Sequence, residues 1–280
     1  MGNPTFKVAM GQMLVEAGKA EANLQRATRM IEDAAEQGCS VIVLPECLDL
    51  GWANPAADEL AQPIPGAFSD VLCQTARESQ IYVVGGLTER AAERIYNAGL
   101  LISDDGQILL KHRKINILAE VEGIYSVGNS LAVAATPIGA IGVDICADNF
   151  PNSLALGHTL ARMGAQILLS PSAWAVEAEH DNAKEPYGVL WKESYTTLAK
   201  LYDMTVVGVS NVGWINAGPW KGRKCIGCSF AVGPHGEVLA QAPYGETAEC
   251  LMAAPIELLP RYAVGTAIAE MLKDKGYEGP

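Results

Sequence analysis

Residues 41–46 read Val-Ile-Val-Leu-Pro-Glu, four apolar residues closed by a proline and an acid. So short and continuous an apolar run predicts a strand covered on both faces, as strands of a parallel sheet are. Upstream, Leu24, Ala27, Ile31, Ala34 and Ala35 recur at helical spacing between Glu21 and Gln37, and Gly38 supplies the stop. Phe6 to Val15 alternates as a strand does. Downstream the alternation continues, with a helix expected over 69–78 and a buried strand over 81–87. Residues 95–103 and 107–111 flank Asp104-Asp105-Gly106, a hairpin signal. Residues 114–130 are irregular. Strands are then expected over 131–135 and 138–145, the second ending at Cys146, followed by a helix over 152–163 and a strand over 167–170. A loop of mixed polarity covers 171–185. Pro186 can open a helix running from Tyr187 to Tyr202, because the first turn tolerates proline. Residues 205–210 read as a further strand. KCIGCSFAV (224–232) reads as a strand entering the core, and Gly233-Pro234-His235-Gly236 as a second hairpin turn between 230–232 and 237–240. One more strand (250–254) and a last helical pattern complete the chain. No linker or repeat divides it, so residues 1–280 are read as one layered α/β domain with a mixed sheet.

The composition excludes several classes of function. Of 280 residues, 49% are hydrophobic and 19% charged, enough for a buried core and wrong for a disordered chain. A net charge of −12 would repel a phosphate backbone, which argues against nucleic acid as a partner. No stretch approaches the roughly 18 apolar residues of a membrane helix. Residues 1–10 lack the basic start and apolar run of an export signal, so a cytoplasmic location is expected. Seven cysteines, an odd count without such a signal, are expected to be reduced thiols. Cys225 and Cys228 form the lone C-x-x-C pair, and His112, His158, His180 and His235 stand apart, so no metal site is expected. Phosphate-binding loops, dinucleotide turns and serine elbows are absent too, and no cofactor is implied.

Three groups with chemistry to offer stand at strand ends: Glu46 after VIVLP, Lys114 after the first hairpin, and Cys146 after IGVDI. In a layered α/β fold such positions can face one crevice. Taken singly each has a plain explanation. The cysteine could be core, the glutamate a cap, and Lys114 part of a solvated basic run, Lys111-His112-Arg113-Lys114.

Together with their surroundings they resemble the nitrilase superfamily of carbon–nitrogen hydrolases, on its amidase and carbamoylase side. LPE (44–46) is similar to the segment of the family's general base. YN (96–97), the DDG turn (104–106) and KHRKINIL (111–118) resemble the approach to its lysine. EVEG (120–123) supplies Glu122 where a second glutamate is expected, and GVDICADNFP (142–151) resembles the nucleophile segment. VSNVG (209–213) and CSFAVGPHGEVLA (228–240) match later strands. The resemblance implies a four-layer αββα subunit that pairs through the helices at 152–163 and 187–202 into an eight-layer dimer.

It also implies roles. Glu46 would be the base that makes a thiolate of Cys146, and Lys114 with the Ala147 N–H would hold the oxyanion. Glu122 would orient Lys114 or the substrate. Chemistry of this kind needs neither metal nor organic cofactor. One departure stands out: Ala147-Asp148-Asn149 replaces a longer segment that commonly carries an aromatic and an arginine. Nitrilases tend to carry Trp-Glu where Ala147-Asp148 stands, so an amide or carbamoyl substrate is favoured over a nitrile. Trp174, Glu177 and His180, in the 171–185 loop, are the expected pocket residues. Rival readings are a catalytically silent binding relative and a thiol redox protein using Cys225 and Cys228.

Overall fold

The computed structural model describes residues 2–261 and 263–279. The first half of the chain builds one sheet. Its strands are β1 (Thr5–Gln12), β2 (Val41–Val43), β3 (Tyr82–Ala91), β4 (Arg94–Ile102) and β5 (Ile108–Arg113), and helices α1 (Ala20–Glu36), α2 (Ala57–Leu60) and α3 (Ala67–Ser79) fall between them. The second half supplies β6 (Val133–Thr136), β7 (Gly139–Val143), helix α4 (Ala155–Met163), β8 (Ile167–Ser172), β9 (Ala175–Val176) and helix α5 (Val189–Tyr202). It continues with β10 (Thr205–Ser210), β11 (Val212–Trp214), β12 (Lys224–Ile226), β13 (Phe230–Val232), β14 (Val238–Gln241), β15 (Cys250–Glu257) and helix α6 (Thr266–Asp274). Two six-stranded sheets result, ordered β15-β1-β2-β3-β4-β5 and β14-β13-β10-β8-β7-β6, with a small third sheet, β11-β12-β9. β1, β2 and β3 run parallel, as do β7, β8 and β10, while the other neighbours are antiparallel.

Burial shows the layering. Val8, Val43, Val84 and Leu101 of the first sheet interlock with Val143, Leu169, Val207 and Val209 of the second. Leu24, Ala27 and Ile31 of α1 and Leu72 of α3 pack on the first sheet's other face. Leu160 of α4 and Trp191, Tyr195 and Leu198 of α5 cover the second. The order is helix, sheet, sheet, helix, the four-layer αββα arrangement. Leu44, like β2 before it, is fully buried, so the 41–44 run is covered on both sides as its composition predicts. Among the described residues no helix is long and apolar enough to cross a membrane.

The local signals hold with shifts at several ends. Gly38 adopts φ +71 behind α1, and the Cys39 N–H reaches back to Ala34 O at 3.0 Å, closing the helix as a left-handed glycine does. Gly106 (φ +83) turns the β4–β5 hairpin. β3 runs on to Ala91 and forms a hairpin with β4 that its charged end, Glu89-Arg90, hides from a hydrophobicity reading. Pro186 does not open α5. That helix begins at Val189, behind Gly188 at φ +106. Pro151–Ser153 form a 3-10 turn and α4 starts only at Ala155. KCIGCSFAV is not one strand: Gly227 (φ +63) and Cys228 (φ +59) break it into β12 and β13, which belong to different sheets.

Candidate active site

Glu46 follows β2, and its turn is held between the two sheets. Its N–H bonds Ser172 O at 3.2 Å, while the Gly86 N–H bonds Pro45 O at 2.9 Å. A Cβ on Gly86 would lie 2.6 Å from the Glu46 Cα, so β3 passes this close only because residue 86 is glycine. Lys114 continues β5, its N–H bonding Asn97 O at 2.9 Å. The basic run is therefore no solvated edge but a strand of period 2. Lys111 and Arg113 pair with Glu89, whereas His112 and Lys114 point inward and are buried.

The inward side chains form one chain of charge. Lys114 Nζ donates to Glu46 Oε1 at 2.8 Å and to Glu122 Oε1 at 2.7 Å, with all three residues at most 1% exposed. Asn97 Nδ2 donates to the same Glu46 oxygen at 2.5 Å. Trp52 Nε1 donates to Glu122 Oε1 at 2.7 Å, and the Leu118 N–H holds Glu122 Oε2 at 2.8 Å. Glu46 Oε2 is left with no partner among the described residues, an acceptor in reserve.

Burial raises the Glu46 carboxyl above the ordinary glutamate value; the Lys114 charge opposes this and the Glu122 charge adds to it. Burial alone would pull the Lys114 ammonium down, but the carboxylates of Glu46 and Glu122 overbalance it and hold it well above its usual range. Burial and then the Glu46 charge push the Cys146 thiol well up, against the pull of Lys114. At rest the thiol is held neutral beside the Lys114 ammonium. A thiolate forms only by handing its proton to a base.

Cys146 sits where β7 gives way to a 3-10 turn, Cys146–Asn149, with φ +44, a left-handed conformation costly for a side-chain-bearing residue. Ala147 follows as the second residue of that turn, whose early N–H groups have no acceptor within the turn. Asp148 ties this turn to the lysine segment. Its Oδ1 accepts the N–H groups of Ile115 (3.1 Å) and Asn116 (2.7 Å), and its Oδ2 meets His112 Nε2 at 2.8 Å and the Ile145 N–H at 3.1 Å.

Of the four sequence-predicted catalytic residues, only Cys146 reaches the lining of a cavity of ≈ 420 Å³. Trp174 and His180 line it as well. Glu177 does not: its side chain is 65% exposed and ion-paired with Arg223, because this stretch of loop turns outward just after β9. Glu185, eight residues on, is the carboxylate that borders the cavity. Trp52, Trp191 and Trp220 went unnoticed in the sequence, because no motif sets them apart and each lies far along the chain from Cys146. Asn97 stood in a quoted motif without a role. Burial drives the Cys225 thiol up to about 12, the reverse of what a redox thiol requires.

A family model described as carbon-nitrogen hydrolase matches residues 7–258. An omega-amidase of Xenopus laevis is 32% identical over 266 residues, covering 90% of this chain and 89% of that protein. A nitrilase of Pyrococcus abyssi is 30% identical over 259 residues and 90% of each. The crystal structure of a Saccharomyces cerevisiae member of branch 10 of the nitrilase superfamily superposes with a TM-score of 0.77 at 25% identity, over 98% of this chain and 96% of that one.

Proposed function

The chain belongs to the carbon–nitrogen hydrolase family, and from that premise we propose that it hydrolyses small amides or N-carbamoyl compounds, releasing ammonia through a thioester on Cys146. The observation that carries this reading is the buried Glu46–Lys114–Glu122 chain behind a cysteine that alone opens to a cavity. Glu46 takes the thiol proton on its unpartnered Oε2 as the sulfur attacks the carbonyl carbon. The Lys114 ammonium and the Ala147 N–H meet the oxyanion; losing one such donor typically costs about 10²–10³ in rate. Glu46 returns its proton to the departing nitrogen, which leaves as ammonia. The same carboxylate then takes a proton from water, whose oxygen attacks the thioester, and returns it to the sulfur as the acid departs. Glu122 holds the ammonium in place through these steps, itself pinned by Trp52 and the Leu118 N–H.

A nitrile substrate is the alternative, supported by the nitrilase relative. The same residues could attack it, but Ala147-Asp148 stands where Trp-Glu would favour it. A silent binding relative would have no use for this charged, buried set. We also read the whole chain as one cytoplasmic domain that pairs through α4 and α5. Met163 at the end of α4 is 49% exposed and Val189 at the start of α5 is 68% exposed, apolar surface that such pairing would cover.

Ammonia release from amides, N-carbamoyl compounds and nitriles, with mass spectrometry of the quenched enzyme, tests the reading. Wild type is expected to gain an acyl mass on the Cys146 peptide, and Cys146→Ala to lose both adduct and turnover. Turnover near wild type in Cys146→Ala would end it.

A further inference from the structure

The cavity above Cys146 is walled by aromatic rings to a degree that amide hydrolysis does not require. Trp174 and Trp191 are stacked with centroids 5.2 Å apart, and Phe150 lies 5.0 Å from Trp191. Tyr187 continues that wall, 6.3 Å from Trp174. A second pair, Trp52 and Trp220, meets edge to face at 5.0 Å. All six rings line the same ≈ 420 Å³ space, and among the described residues no lysine or arginine does.

Two cations close to it are already engaged. Lys114 is held between Glu46 and Glu122. Arg223 lies 4.0 Å over the Trp220 ring and is ion-paired with Glu177. The carboxylate bordering the cavity, Glu185, would repel an anion, as would the net charge of −12 on the whole chain. An acyl chain ending in a carboxylate would lose its hydration here and meet neither lysine nor arginine, only the His180 imidazole, whose Nε2 has no partner among the described residues. A flat apolar group would instead exchange water for ring faces.

We infer that this pocket selects primary amides with an uncharged aryl or arylalkyl acyl group and disfavours amides bearing a second, ionised carboxylate. The inference rests on the amidase reading above and specifies the acyl group the site takes. Trp52 joins specificity to chemistry, since its ring lines the pocket while its Nε1 holds Glu122.

The test is kcat/KM for ammonia release from propionamide, butanamide, 3-phenylpropanamide and succinamate. 3-Phenylpropanamide is expected at least tenfold above propionamide, and succinamate at least tenfold below the similarly sized butanamide. Glu185→Lys, a change at an exposed position, should raise the succinamate-to-butanamide ratio several-fold. Trp191→Ala should collapse the phenyl preference, chiefly through KM. If that variant fails to fold, the wild-type ratios and Glu185→Lys still decide the matter. Succinamate at or above butanamide, with ammonia released from both, overturns the pocket assignment and leaves the amidase activity standing. Ammonia from none of the four, with no adduct on Cys146, overturns the activity and the pocket assignment with it.

Discussion

Asp144 stands two residues before the nucleophile, fully buried, with Oδ1 accepting from Asn149 at 2.6 Å and Oδ2 unpartnered among the described residues. Burial, and then the charge of Asp148, push its carboxyl up to about 7 from 3.8. The folded protein therefore binds this proton more tightly than the unfolded chain. Its contribution to stability is full below about pH 4 and is lost as pH rises through about 7. The limit is on the order of 4 kcal/mol. Asp144→Asn should raise Tm at pH 8 and change it little at pH 4; an equal change at both would contradict this. Catalysis responds in the opposite sense. On the proposed reading Glu46 acts in its ionised form, and since its carboxyl is raised, the acid limb of kcat/KM is expected above the ordinary glutamate value near 4.5. A limb at or below that value would remove Glu46 as the base. Glu46, Lys114 and Cys146 stood out in the sequence by their places after strands, and Glu122 and the roles of all four came from the family resemblance. The pocket was less so. An acidic loop does not say which of its carboxylates turns inward, and Glu185 rather than Glu177 borders the cavity.

Two contacts between elements hold the site to its geometry. Asp148 joins the cysteine turn to the segment after β5 by hydrogen bonds to Ile115, Asn116 and His112. Asp148→Asn keeps the shape but loses the charge those N–H groups share. It is expected to lower kcat about tenfold or more with a smaller change in KM, since it moves Lys114 relative to sulfur without touching the acyl pocket. A change in KM alone would argue against a positioning role. Gly86 is the second contact. Gly86→Ala sets a methyl against the Glu46 backbone, so kcat should fall by about 10² through displacement of the base. Unaltered kcat would show that the turn yields without cost. Neither contact was legible in the sequence, because each depends on which strands lie side by side. Helix and strand cores were, since periodicity is local. The starts of α4 and α5 fall later than expected, because Pro151–Ser153 close into a 3-10 turn and the left-handed Gly188 overrides the cue of Pro186.

At the scale of the molecule, the sequence disclosed the alternation of helices and buried strands. Their division into two sheets packed face to face came from the family resemblance, because hydrophobic runs alone do not tell one sheet from two. Light scattering is expected to give about twice 29.7 kDa, with the subunits joined through α4 and α5; a species of 29.7 kDa alone at micromolar concentration would refute the pairing. The first sheet has a further property. β1 lies between β2 and β15, and its eight residues Thr5–Gln12 pair one to one with Cys250–Glu257. During synthesis β1 leaves the ribosome more than two hundred residues before its partner β15 and waits for it. Until residue 257 emerges, one side of β1 presents a bare row of N–H and C=O groups, the kind of edge that recruits strands from other chains. Translation speed between the two strands thus sets how long the nascent protein remains open to aggregation, and a stalled or nonsense-truncated product ending before residue 250 would be a substrate for chaperones.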